Sequence, residues 1–261
     1  MEYYLAKAIV ILALAMPRMV AAFTIVPFFG AGLSLGIPRR GFILSSIFVL
    51  VPMLLPTTDV PDPLPSPLLL CALILKEIFI GLLFGFSSSI GFWAMQAIGE
   101  YVDLQRGATA GAYFNPLLGG LSSPIGNLML RLAIMLFLAA GGFMLFLAAL
   151  LTSFEVYPLW HLLPELKMLR ATAIPELASQ LFELSILYSA PLLVLFLLID
   201  IGLGFMNRFV PTLNVFFFSL PVKSVVGLLL VTIYLPFVAL AFLRNLFSSD
   251  SLLIWVHSVL S

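Results

Sequence analysis

Charge is the scarcest resource in this sequence. Of 261 residues only 9% are Asp, Glu, Lys or Arg, where a soluble domain carries about a quarter. A surface wet on every side cannot be built from that supply, and the mean hydropathy of +1.20 agrees. Twelve basic and twelve acidic residues cancel. With no basic excess to neutralise phosphates, nucleic acid is excluded as a partner. One cysteine, Cys71, rules out an intramolecular disulfide and any cysteine metal cluster. The two histidines, His161 and His257, lack the helical spacing with an acid that a metal site needs, and no Gly-x-x-x-x-Gly-Lys-Ser/Thr phosphate loop occurs. Gly85-Phe86-Ser87-Ser88 offers a serine, but a nucleophile without a histidine in a neighbouring span has no base. No metal, cofactor or catalytic residue is expected, and the chain reads as a non-enzyme.

What it has is apolar length. Hydrophobic residues make up 62% of the chain. They gather into six stretches at about 5–29, 41–56, 68–98, 125–151, 180–206 and 213–245, most near the ~20 residues that cross a hydrocarbon core. In a bilayer each backbone group must bond within its own element, and the alternation of a barrel strand is absent, so the fold class is all-α. Ala13-Leu14-Ala15 has the look of a cleavage site, yet the apolar run continues to Phe29 and Glu2 offsets Lys7; residues 1–29 are expected in the mature chain.

The connectors differ from ordinary loops. Pro52, Pro56, Pro61, Pro63, Pro65 and Pro67, with Asp59 and Asp62, predict a stiff extended linker over 52–67. Residues 104–124 form a glycine-rich loop that is apolar, with Arg106 as its one charge. Residues 152–179 read as a solvated connector with a short helix after Pro164 or Pro175. Prolines also sit within the spans, at Pro17, Pro27, Pro191, Pro221 and Pro236, and predict broken helical hairpins rather than straight rods. Arg39 and Arg40 place the first connector in the cytoplasm and the acidic linker outside; Lys167 and Arg170 run against that assignment.

Lys7, Arg18, Lys76, Glu77, Arg131, Asp200 and Lys223 fall in or at the edges of apolar stretches. A charge at a helix centre costs about 2.5–3.5 kcal/mol on insertion scales, so each must snorkel, pair or face water. Lys7 is placed to snorkel. Lys76 and Glu77 are adjacent, so they are expected to point to different sides of a helix and to need partners elsewhere. Asp200 and Lys223, on consecutive helices, are the expected ion pair. Gly81, Gly85 and Ser89 form a small-residue stripe that predicts close helix packing.

Three blocks together resemble the FliR/SctT family of flagellar and type III secretion export proteins. The first is Pro27-Phe28-Phe29-Gly30 followed by Leu35-Gly36-Ile37-Pro38-Arg39. The second is Gly99-Glu100-Tyr101-Val102-Asp103-Leu104-Gln105-Arg106-Gly107, then Asn115-Pro116. The third is Asp200-Ile201-Gly202-Leu203-Gly204, then Arg208-Phe209-Val210-Pro211-Thr212-Leu213-Asn214, then Leu220-Pro221-Val222-Lys223. With Glu77, Gly81 and Gly85, these supply the family-motif and assembly residues. Residues 183–261 also resemble the small FliQ/SctS hairpin, so the resemblance implies one export-gate domain over 1–261, with a FliP-like helical part at 1–182 joined to a FliQ-like hairpin.

The resemblance further implies a core subunit of an export gate in the bacterial inner membrane, within the secretion basal body. Its expected partners are FliP/SctR-like and FliQ/SctS-like subunits in a hetero-oligomeric ring, an FlhB/SctU-like switch protein, an FlhA/SctV-like channel, membrane lipid, and secreted proteins in transit. By position, residues 106–124 correspond to the loop that plugs the closed pore. Arg106, Gly107, Gly111, Asn115, Pro116, Gly119 and Gly120 would shape it, and Tyr113, Phe114, Leu117 and Leu118 would seal it, since apolar constrictions exclude water. A buried packing loop is the other reading. A secondary transporter of a small solute with midplane charges is the competing function; it shares broken helices and buried charges, but no internal repeat is found here.

Overall fold

A computed structural model describes residues 2–29, 41, 45, 61, 66–108, 123–160, 173–209 and 215–247. Six α-helices lie among them: α1 (Glu2–Ile25), α2 (Pro67–Gln105), α3 (Pro124–Ala139), α4 (Gly142–Val156), α5 (Ala173–Phe209) and α6 (Val215–Phe247); a 3-10 turn, Pro27–Phe29, follows α1. The fold is all-helical, as the composition demands. Four helices are long and apolar enough to cross a membrane: Lys7–Ile25, Pro67–Gln105, Pro175–Phe209 and Phe217–Asn245. With 39 residues α2 is about 58 Å long, roughly twice the ~30 Å hydrocarbon core.

Several boundaries differ from expectation. Pro17, Pro191, Pro221 and Pro236 lie inside continuous helices, and of the five span prolines Pro27 alone falls at a break, just past the end of α1. The expected span at 125–151 is instead two helices parted at Ala140–Gly141. Gly141 has φ +78°, a left-handed conformation that a helix cannot continue through and that glycine adopts freely. The connector at 152–179 is shorter than expected, because α4 runs to Val156 and α5 begins at Ala173 with Pro175 in its first turn. Pro164, most of the linker at 52–67 and the stretch at 41–56 lie outside the described residues.

The chain divides into two compact units. The first is drawn from residues 1–89 and 141–175. Here α1 lies in the small-residue stripe of α2: a Cβ at Gly81 would collide with the Arg18 carbonyl, and one at Gly85 would sit 2.7 Å from the Ala22 oxygen. The stripe is therefore filled by the chain's own first helix. Phe146 on α4 is fully enclosed, with the rings of Phe23, Phe28 and Phe84 at 5.5, 5.4 and 5.3 Å. Such contacts add about 0.5–1.5 kcal/mol each beyond simple burial.

The second unit is drawn from residues 90–140 and 176–247. Phe92 on α2 meets Phe137 of α3 at 5.1 Å and Phe242 of α6 at 5.6 Å, edge to face. Gly99 lets α2 touch the Ile125–Gly126 backbone of α3. Gly227 of α6 receives Phe196 of α5 and Val102 of α2. Outside these seams α5 and α6 expose long apolar faces, including Leu197, Ile201, Phe205, Val225, Leu229 and Phe237.

Candidate functional site

Several of the candidate residues cluster where α2 ends and α3 begins. The departure is a helix stop of defined geometry. Ala108 N–H donates to the Asp103 carbonyl and Gly107 N–H to that of Leu104, at 3.0 and 3.1 Å. Gly107 supplies the left-handed φ of +72° that this paired closure requires. Leu220 of α6 packs against it, its Cδ2 2.7 Å from where a Cβ at 107 would lie. The return is a helix start readable in Ser123-Pro124: Ser123 is the N-cap, its hydroxyl accepting from Gly126 N–H at 2.9 Å, and Pro124 follows in the first turn.

Asp103 joins the two. Its side chain is fully buried. Oδ1 accepts from Arg106 Nε at 2.7 Å and lies 2.6 Å from Arg106 Nη2. Oδ2 accepts from the Ser123 hydroxyl at 2.5 Å and from Ile125 N–H at 2.7 Å. One oxygen serves the departing chain, the other the returning chain. Charge-assisted bonds of this kind are about twice as strong as neutral ones. The negative group also faces the positive N-terminus of α3.

Behind this root, Lys223 on α6 donates to Gln105 Oε1 at 3.4 Å and pairs with Asp200 Oδ1 of α5 at 2.6 Å. The expected Asp200–Lys223 pair forms. Glu100, exposed beside Gly126, accepts from Gln96 one turn earlier at 2.7 Å. Arg208 is exposed in the last turn of α5, and Pro221 lies in the first turns of α6.

The first unit holds a separate charged cluster. Arg18 and Glu77 are both 0% exposed, with Arg18 Nε 2.6 Å from Glu77 Oε2. Nη1 donates to the carbonyl and hydroxyl of Ser153, Nη2 to the Tyr157 carbonyl, and the guanidinium stacks 4.0 Å over the Phe154 ring. Lys76 corrects the expectation for adjacent residues. Its long stem brings Nζ to 2.7 Å from Glu77 Oε1, an ion contact off the hydrogen-bonding direction, while it donates to the Pro158 and Leu159 carbonyls. Tyr157, beyond the end of α4, has its phenol pushed above the usual tyrosine range by burial, with Arg18 opposing. Sequence reasoning does not reach Arg18, Ser153 or Ser123 as site residues. For Arg18 the signal is present: a mid-span cation needs an acid, and Glu77 is one in another span.

Of the remaining motif residues, Pro27 opens the 3-10 turn, and Gly81, Gly85 and Gly99 serve the helix seams above. Gly36, Pro38, Arg39, Gly111, Tyr113, Phe114, Asn115, Pro116, Leu117, Leu118, Gly119, Gly120, Pro211 and Asn214 lie outside the described residues, as do His161 and His257. Among the described residues no group of three His, Cys, Asp or Glu is placed to hold a metal ion.

Comparison with known proteins gives a consistent answer. Residues 9–249 match the model for bacterial export proteins, family 1. Yop proteins translocation protein T of Yersinia pestis is 34% identical over 222 residues, 85% of this chain and 84% of its own length. Secretion system apparatus protein SsaT of Salmonella typhimurium is 30% identical over 234 residues, 88% of each chain. Flagellar biosynthetic protein FliR of Escherichia coli is 28% identical over 216 residues, 81% of this chain and 80% of that one. With a match of that extent, the chain belongs to the bacterial export proteins, family 1, the FliR/SctT family.

Proposed function

We propose that this chain is a core subunit of a type III secretion or flagellar export gate in the bacterial inner membrane, and that residues 106–124 form the plug of its closed pore. As a member of an export-apparatus family it is not an enzyme. Family membership over nearly the whole chain supports the role. The observation that carries the plug assignment is local: an apolar, glycine-rich loop departs from and returns to one buried carboxylate, Asp103. Loops whose ends meet are frequently functional, and the two ends of this one meet at Asp103.

The chain acts in a hetero-oligomeric ring with FliP/SctR-like and FliQ/SctS-like subunits, beside FlhB/SctU-like and FlhA/SctV-like proteins, and unfolded proteins pass through. Its C-terminal hairpin, 183–261, takes the FliQ-like place. The exposed apolar faces of α5 and α6 are the surfaces for lipid and sister helices.

Deleting residues 110–120 is expected to leave assembly with the sister subunits intact and to make the reconstituted complex leaky to small ions. Wild-type conductance in the assembled deletion complex sinks the plug assignment. Co-purification tests the role itself: a stable hetero-oligomer is expected, and a lone chain that binds a small solute is the transporter outcome.

A further inference from the structure

We propose that the outer face of α3, centred on Arg131, is the docking surface for a sister helix that carries a carboxylate. The inference rests on the reading of the chain as an export-gate subunit and names the chemistry of one neighbour.

Five of the seven charges found in or beside apolar stretches are answered within the chain: Arg18 and Lys76 meet Glu77, and Lys223 meets Asp200. Arg131 is not answered. It is exposed, and it makes no ion pair or hydrogen bond among the described residues. The turn of the helix explains its position. α3 buries Ile125, Met129, Ala133, Ile134 and Phe137, and Phe137 lies against Phe92 of α2. At about 100° per residue Arg131 falls on the opposite side, in one stripe with the exposed Asn127, Met135 and Leu138.

Lipid, water and protein are the candidate covers for that stripe. Lipid tails fit the leucine and methionine but not the cation. Snorkelling serves positions near helix ends, and Arg131 sits at the middle of α3, roughly 10–12 Å from either end. Water fits the cation but leaves Leu128, Met135 and Leu138 wet around it. A protein helix satisfies both, and arginine and methionine are the side chains enriched in the cores of such interfaces. The guanidinium sets the partner's sign: its planar fork matches the two oxygens of a carboxylate. Asn127 lies one turn toward the N-terminus, the direction in which helical side chains lean, and adds an amide beside the fork. The occupant is therefore an apolar helix with one Asp or Glu on its docking face.

Arg131→Met keeps the length of the side chain and removes its charge. Against a sister carboxylate, this leaves the acid without a counter-ion. The complex co-purified with the FliP/SctR-like and FliQ/SctS-like subunits is then expected to dissociate at about thirtyfold higher protein concentration than wild type. Against lipid, the same change relieves the helix of a charge, and a complex that holds as well as wild type or better overturns the proposal. A benzoylphenylalanine photo-crosslinker at Met135, with Arg131 in place, gives an independent reading. An adduct to a sister segment with an Asp or Glu within two turns of the captured position supports docking; adducts to lipid alone, or to a segment without an acid, overturn it. Should Arg131→Met lower the helix content of the chain itself, the crosslink decides. Wild-type assembly separates the two ideas. If the wild-type chain assembles with no sister subunit, the export-gate reading falls and this inference with it. If wild type assembles and Arg131→Met dissociates alongside it, the docking inference alone falls.

Discussion

In the unit built on α1, Arg18 and Glu77 are sealed from solvent, and the guanidinium spends its donors on Glu77 and on the end of α4. In the unit built on α5 and α6, Lys223 is nearly as deep, but its acid, Asp200, is 44% exposed. The same chemistry serves two ends. A dry pair gains strongly from its partner because the alternative is a charge in a low-dielectric interior, so it fixes helices. A half-open pair is screened and gains little by itself, but leaves a carboxylate accessible on an apolar helix. In a chain that crosses a membrane, an accessible carboxylate marks a face turned to water or to another protein, not to lipid.

The sharpest way to break the contrast is Glu77→Ala. It leaves Arg18 buried without its counter-ion and is expected to cost about 3–5 kcal/mol, read as thermal unfolding in detergent. The apolar double replacement Arg18→Met with Glu77→Leu is expected to recover most of that loss. A cost under ~1 kcal/mol for Glu77→Ala would show the cluster to be solvated after all. Packing gives a second test of closed against open. Gly85→Ala drives a methyl toward the Ala22 backbone and should destabilise by about 1–3 kcal/mol. For the ion pair, Asp200→Ala or Lys223→Ala is expected to cost about 1 kcal/mol after screening, and the charge swap of both positions to restore assembly lost in either single variant. Failure of the swap to rescue would show that the two side chains answer to other partners. The smallest effect belongs to Gly202→Ala on α5, where a Cβ meets nothing within 4 Å. It should be neutral or gain up to about 1 kcal/mol from helix propensity.

Much of the scaffold is legible from residues because hydropathy acts locally. Apolar runs mark the helices α1, α2, α5 and α6, and Asp200 with Lys223 can be paired because consecutive helices are usual neighbours. The breaks are harder to read. A proline removes one donor, and Pro17, Pro191, Pro221 and Pro236 each sit in a helix that continues past them. The true break needs a backbone conformation, which Gly141 adopts within an apolar run that hydropathy reads as unbroken. Long-range polar contacts are least visible. Nothing in the spacing of Asp103 and Ser123, or of Arg18 and Ser153, says that they meet, because those meetings depend on how helices pack. The helix start at Ser123-Pro124 is the nearest local clue.

Arg18 carries one consequence beyond charge balance. The last turn of α4 contains no basic residue of its own, and its trailing carbonyls at Ser153 and Tyr157 are taken up by a guanidinium that lies 135 and 139 positions away in the chain. The end of α4 is thus tied to α1. Shifting that arginine by a turn would untie the end of a distant helix while leaving every residue of the helix itself unaltered.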